Sequence, residues 1–149
     1  LASVLQGGMG MAGSGNIGDS HAFFEPVHGS APKYAGMNKV NPIASVNSIQ
    51  MMMDWLGRKN NSQEILDVAN AIEQSVSGHL AEGKYLTYDL GGDASCSAVG
   101  DMISARLGKI LGENWLKFPR NTNRTGVFQI DIFFVIFFKN NGNFIIICG

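Results

Sequence analysis

The sequence predicts an α/β fold, the closing part of a larger α/β domain, and three observations carry that reading. A glycine-rich opening and the run AFFEPV at 22–27 read as short strands. A loop stiffened by prolines and loosened by glycines follows at 25–36. Three segments of helical period then run to residue 111. A chain of 149 residues buries one core.

The first element holds the most conspicuous motif. Residues 13–18, GSGNIG, match the dinucleotide-binding pattern G-x-G-x-x-G. That pattern works only where a buried strand precedes it and a helix opens from its last glycine, so that phosphate meets free N–H groups. Here LQGGMGMA comes before and DSHAFFEPVHGSAP comes after, with no helical period and two prolines. The prediction is a strand approach and not a Rossmann fold.

Helical grammar begins at Asn41-Pro42, an N-cap followed by proline at the first helical position, with Gly57 as the stop. Val46, Ile49, Met53 and Leu56 share a face, and the Met-Met-Met at 51–53 reads as core filler. Asn61 with Glu64 three residues on predicts a capping box, and Gly83 a stop. Between them Ile65, Val68, Ala69, Ile72, Val76 and Leu80 form the buried face, with His79 beside it as a structural histidine. A third helix is predicted over about 97–111 through Val99, Met102, Ile103, Leu107 and Ile110.

Chemistry concentrates in EPVHGSAPKYAG at 25–36. Pro26 and Pro32 fix φ, Pro32 biases Ala31 to an extended form, and Gly29 and Gly36 permit tight turns. Glu25, His28, Ser30, Lys33 and Tyr34 crowd this stiff segment. Lying before the Asn41 helix, it presents backbone N–H groups and a cation to an anion. On the residues alone, a ligand-binding loop and a plain structural turn both stand.

Bulk composition narrows the partners. With 15% charged residues and a net charge of −1, there is no electrostatic case for nucleic acid or an anionic membrane. Cys96 and Cys148 form neither a disulfide framework nor a metal spacing, which favours a reducing compartment, and no signal peptide is recognised.

A seam falls near Trp115. The tail from 117 to 149 carries seven of the nine Phe and one acid, Asp131. Its Phe, Ile, Asn and Lys are residues of A+T-rich codons, so the expectation is a body at 1–116 and an atypical tail, non-native or disordered. The run 130–138 is shorter than the roughly 20 residues that span a bilayer. An extra edge strand and a membrane anchor are the other readings of it.

The segment NIGDSHAFFEPVHGSAPKYAGMNKVNPIASVNSIQMMMDWLG, with TYDLGGDASCSAVGDMI at 87–103, resembles the metal-dependent β-decarboxylating dehydrogenases of isocitrate, isopropylmalate and homoisocitrate. The resemblance covers about 1–111 and rests on H-G-[ST]-A-P…N-P. It implies the closing segment of that family's α/β/α fold and an adenosine-binding loop for NAD or NADP without the Rossmann fingerprint. Carried over by position, His28 packs on the adenine, and Gly29, Ser30, Ala31 and Pro32 form the backbone of the loop. Asn41 reads the adenine edge, and Glu25 lies near the nicotinamide ribose. Lys33, Tyr34 and Tyr88 imply NADP, since a 2′-phosphate wants a cation and hydroxyl donors where a bare ribose wants an acid. NAD-using relatives have Asp at the position of Lys33. Gly92 departs from the NADP pattern, which has arginine there, and Leu90-Gly91-Gly92 looks like the isopropylmalate side of the family.

The resemblance also implies a homodimer, a 2-hydroxy acid substrate and Mg or Mn in the full-length enzyme, in the cytoplasm or the mitochondrial matrix. In relatives the two metal-binding aspartates lie just upstream of a Leu-Ala-Ser, and this chain opens on Leu1-Ala2-Ser3. The substrate-clamping arginines and the proton-moving tyrosine and lysine lie further upstream. No catalytic or metal residue is therefore assigned within the chain, and alone it is expected to be inactive. The alternatives are an NAD-dependent isopropylmalate or homoisocitrate dehydrogenase fragment, a non-catalytic nucleotide-binding remnant, and a tail-associating interaction protein.

Overall fold

Two glycines of GSGNIG explain how helix and sheet come together. The computed structural model describes residues 2–5, 7–112, 138–140 and 143–147. After one helical turn, α1 (Ala2–Leu5), strand β1 (Gly13–Ile17) pairs antiparallel with β2 (Ala22–Pro26), setting Gly13 opposite Pro26. A Cβ on Gly13 would lie 2.9 Å from the Ser48 backbone nitrogen, and one on Gly15 would lie 3.0 Å from the Phe24 ring. These glycines serve close packing of the hairpin on a helix, not phosphate. The motif is a strand, as its flanks require, and the fold is not Rossmann-like.

The far edge of β2 is taken by the tail. Strand β4 (Asn143–Ile147) runs parallel to β2, with Ala22 opposite Ile145. Strand β3 (Phe138–Asn140) pairs antiparallel with β4, giving the order β1-β2-β4-β3. The remainder of the predicted tail lies outside the described residues.

Helix α2 (Ile43–Asn60) starts where Asn-Pro predicts, with its assigned first residue one later than Pro42. The Asn41 Oδ1 accepts from the Ile43 N–H at 3.0 Å, and the Pro42 carbonyl accepts from Val46. Its end departs from expectation. Gly57 sits inside the helix, buried, because a Cβ there would lie 2.7 Å from Leu66 Cδ2 of the next helix. The missing side chain is spent on interhelical approach, and the stop is Asn61, left-handed at φ 49°, its N–H donating to the Arg58 and Gly57 carbonyls.

Because Asn61 closes α2, it cannot open helix α3 (Gln63–Glu82), and the predicted capping box with Glu64 is not formed. Ser62 caps instead, its Oγ accepting from the Ile65 N–H. Gly83 ends α3 in the left-handed region as predicted, at φ 63°. Helix α4 (Cys96–Leu111) is capped by the Ser95 Oγ, which accepts from Ala98.

Packing is in layers. Phe24, Ala22 and Met52 join sheet to α2, with Met51, Met53 and Trp55 around them, so the methionine run is core. Ile43, Val76, Val99 and Ile103 join α2, α3 and α4 on the other side. Two residues of the predicted α4 face, Met102 and Ile110, stand exposed. Cys96 is buried, which pushes its thiol pKa up and keeps it protonated. His79 is buried at 2% exposure, its Nε2 without a hydrogen-bond partner among the described residues.

Candidate functional site

Strand β2 delivers the chain into the polar loop. The Ser14 hydroxyl donates to the Glu25 carbonyl, and the Val27 N–H donates to the Ala12 carbonyl, so the loop leaves a pinned hairpin. Its course differs from expectation at Ala31, which is left-handed at φ 44°, ψ 56°, not extended. The conformation closes a 3-10 turn, Pro32–Tyr34, in which the Tyr34 N–H donates to the Ala31 carbonyl at 2.9 Å. Proline before a turn keeps Ala31 out of the right-handed helical region, and the turn's hydrogen bond selects the left-handed one. Gly36 continues the reversal at φ 73°.

This path leaves the front of the loop open. His28 Nδ1 donates to the Gly29 carbonyl at 2.9 Å. A Cβ on Gly29 or Gly36 would meet nothing within 4 Å. Among the described residues, no backbone hydrogen bond uses the N–H groups of Gly29, Ser30 or Ala31. Three N–H donors in succession are free for an anion.

The second face of the site comes from beyond α3. A 3-10 turn, Tyr88–Leu90, brings Tyr88 against Tyr34, ring centroids 5.8 Å apart and 41° between planes. Lys33 Nζ stands 5.1 Å from the Tyr34 ring centroid, and Lys39 Nζ stands 4.8 Å from that of Tyr88. The Tyr34 hydroxyl is held below the ordinary tyrosine range by its hydrogen bond with Tyr88 first and by the Lys33 charge second. Tyr88 is pushed the other way by the same bond. Two ammonium groups and two phenols thus share one exposed surface.

Behind them lies a network that fixes the loops. Asn41 is buried, and its side chain is fully engaged: Oδ1 accepts from Ile43, while Nδ2 donates to Asp89 Oδ2 at 3.0 Å. Thr87, also buried, donates from its hydroxyl to Asp89 Oδ1 at 2.5 Å. Asn38, left-handed at φ 51°, clasps the start of α4. Its Nδ2 donates to Ser97 Oγ at 2.8 Å, and its Oδ1 accepts from the Ser97 N–H at 2.9 Å.

The structure therefore brings together Lys33, Tyr34 and Tyr88, and ties Asn41 to the residue beside Tyr88. Glu25 and His28 lie on the approach, and neither makes a side-chain hydrogen bond to the tyrosine pair among the described residues. Sequence reasoning missed Lys39, Asn38, Thr87 and Asp89. A second lysine within the same loop, six residues after Lys33, was the available signal for Lys39.

Residues 1–103 match the family model described as isocitrate/isopropylmalate dehydrogenase. The isocitrate/homoisocitrate dehydrogenase of Thermus thermophilus is 47% identical over 103 residues, covering 69% of this chain and 28% of that protein. The NADP isocitrate dehydrogenase of Archaeoglobus fulgidus is 45% identical over 89 residues, 60% of this chain and 20% of that one. The crystal structure of a beta-decarboxylating dehydrogenase from Thermococcus kodakarensis, in its apo form, superposes with a TM-score of 0.65 at 37% identity, covering 77% of this chain and 32% of that chain. The chain spans less than a third of the length of these relatives. With residues 1–103 matched by the family model and 77% of the chain superposing on that crystal structure, it belongs to the isocitrate/isopropylmalate dehydrogenase family.

Proposed function

We propose that this chain is the adenosine-binding part of an NADP-dependent enzyme that oxidatively decarboxylates a 2-hydroxy acid of the isocitrate type. The observation that carries it is the meeting of Lys33, Tyr34 and Tyr88 on one exposed surface. A cation with two hydroxyl donors suits the 2′-phosphate that distinguishes NADP from NAD. The open front of the loop fits the rest of the adenosine: Gly29, Ser30 and Ala31 offer N–H groups, and half-buried His28 offers a ring face to adenine. Asn41 reads the adenine edge through its backbone, because its side chain is already committed to Ile43 and Asp89. Glu25, at the end of β2, faces the ribose on the nicotinamide side.

Held by Gly29, Ser30, Ala31, Lys33, Tyr34 and Tyr88, a nicotinamide cofactor would supply the hydride acceptor for oxidation of the substrate hydroxyl. This chain's residues bind and orient it; they move no proton in the reaction. Among the described residues, no group of three or more His, Cys, Asp or Glu side chains could hold a metal ion. A metal, a 2-hydroxy acid substrate and a second subunit are expected of the full-length enzyme. No helix among the described residues is long and apolar enough to cross a membrane.

One observation favours the NAD reading: position 92 carries glycine, with the Leu86 carbonyl where its side chain would stand. A chimera that joins this chain to the missing part of an active relative decides between them. Replacing Lys33→Asp with Tyr34→Ile is expected to lower kcat/KM for NADP by about ten- to a hundredfold, from the loss of a charge-assisted hydrogen bond of roughly 1.5–3 kcal/mol. The new carboxylate repels phosphate and accepts from the NAD ribose, so the preference reverses. An unchanged ratio removes the case for NADP and leaves the family intact. In the same assay the 149-residue chain alone is expected to give no turnover.

A further inference from the structure

A 2′-phosphate carries close to two negative charges at neutral pH, its second pKa being about 6. Lys33 supplies one compensating charge. The position at which the resemblance implies a second, residue 92, cannot supply it. A Cβ on Gly92 would fall 2.0 Å from the Leu86 carbonyl oxygen, in a turn locked by the Gly92 N–H to the Thr87 carbonyl and the Ala94 N–H to the Leu86 carbonyl. No side chain fits there while that turn stands.

Lys39 occupies the surface that is left. Its ammonium lies 4.8 Å from the Tyr88 ring centroid, and that ring leans on Tyr34, which carries Lys33 on its own face. Both partners sit on fixed backbone. Asn38, the residue before Lys39, is clasped to Ser97 by two side-chain hydrogen bonds, and its carbonyl accepts from the Cys96 N–H at 2.8 Å. Tyr88 stands between Thr87, which is buried, and exposed Asp89; the two are bonded to each other and, through Asp89, to Asn41. The two lysines are thus presented from anchored loops on either side of one tyrosine pair. The charge of Lys39 also contributes to lowering the Tyr34 pKa, so both ammonium groups act at the same hydroxyl.

We propose that Lys39 is the second cation of the 2′-phosphate subsite and takes over a charge that position 92 cannot carry. The assignment rests on the NADP reading above. It makes Lys39 a specificity residue: it faces the phosphate and has nothing to offer the rest of the nucleotide.

The test is binding of adenosine 2′,5′-bisphosphate and adenosine 5′-phosphate to the 149-residue chain by calorimetry. Lys39→Gln is expected to weaken the bisphosphate about tenfold, the loss of one charge-assisted contact, and to leave the monophosphate within about twofold. Lys39→Arg should restore the bisphosphate, since charge is kept. Lys33→Gln serves as the reference for the side of the cluster that the NADP reading already invokes. If Lys39→Gln leaves the bisphosphate unchanged while Lys33→Gln weakens it, Lys39 is a solvated lysine and the NADP reading survives. Equal weakening of both nucleotides assigns Lys39 a structural role and overturns the proposal. A wild-type chain that does not distinguish the two nucleotides removes the 2′-phosphate reading, and this proposal with it.

Discussion

The helical layer and the two polar loops beside it are neighbours held by different forces. Helices α2, α3 and α4 are joined by apolar burial, with Phe24, Ile43, Met52 and Val99 all fully buried. The loops at 27–40 and 85–92 contribute one buried side chain, Thr87, and are shaped instead by left-handed residues: Ala31, Gly36, Asn38, Tyr85 and Gly91. What holds them is a few polar tethers across long sequence separations, Asn38 to Ser97 and Asn41 to Asp89. Burial fixes an element by area and tolerates small errors. Tethers fix a position by geometry, which suits the phosphate-binding surface proposed above. The two regions should therefore fail differently when damaged.

The largest effect is expected in the layer. Phe24 joins sheet to α2, its ring 6.0 Å from that of Trp55, and Phe24→Ala removes both the buried surface and the contact. The cost should be about 3–5 kcal/mol, read as a lower denaturation midpoint by far-UV circular dichroism. Nucleotide affinity should fall only in proportion to the folded fraction. A selective loss of bisphosphate binding in a fully folded Phe24→Ala chain would mean that core and site are not separable.

Asn38→Gly damages a tether alone. Glycine accepts φ 51° without strain, so the substitution removes the two bonds to Ser97 and little else. Each such exposed bond is worth about 0.5–1.5 kcal/mol, so the midpoint should shift slightly. Adenosine 2′,5′-bisphosphate should bind several-fold more weakly, because the backbone before Lys39 keeps only the bond from the Cys96 N–H to the residue 38 carbonyl. A midpoint shift as large as that of Phe24→Ala, with affinity intact, would reverse the contrast between the regions.

The same division decides what can be read from the sequence. Helical period and the Asn-Pro and Gly83 signals locate α2 and α3, because those signals act within a few residues of themselves. Gly57 reads wrongly as a stop because its partner is Leu66 on another helix, and no local pattern announces a close approach. Asn61 and Ser62 exchange roles for a related reason: with Gly57 inside the helix, the left-handed stop moves to Asn61, and the cap passes to the next hydroxyl. In the site, Lys33 and Tyr34 are legible as a polar pair in a stiff loop. Tyr88 enters only through the family resemblance, since the pairing of rings 54 positions apart leaves no spacing to read. Lys39, Asp89 and Asn38 become visible only with the loops in place.

The smallest effect separates the regions by pH. Tyr34 has its pKa lowered, by the Tyr88 hydrogen bond first and then by Lys33, and Tyr88 has its pKa raised. On raising the pH, Tyr34 therefore ionises before Tyr88 and below the ordinary tyrosine value of about 10. A protonated Tyr34 hydroxyl donates to a phosphate oxygen, whereas its phenolate repels the phosphate. Bound phosphate favours the proton, so affinity is full below the Tyr34 pKa and declines as pH rises through it. On the acid side, affinity rises as the phosphate takes its second charge near pH 6. The alkaline decline should be a few-fold for adenosine 2′,5′-bisphosphate and absent for adenosine 5′-phosphate. The helical signal should stay flat over the same range, since the layer presents no tyrosine to ionise. Tyr34→Phe should lower the plateau slightly and remove this alkaline decline. Persistence of the earlier decline in Tyr34→Phe would show that some other group than this tyrosine controls the phosphate, and would leave the two lysines as the whole of its recognition.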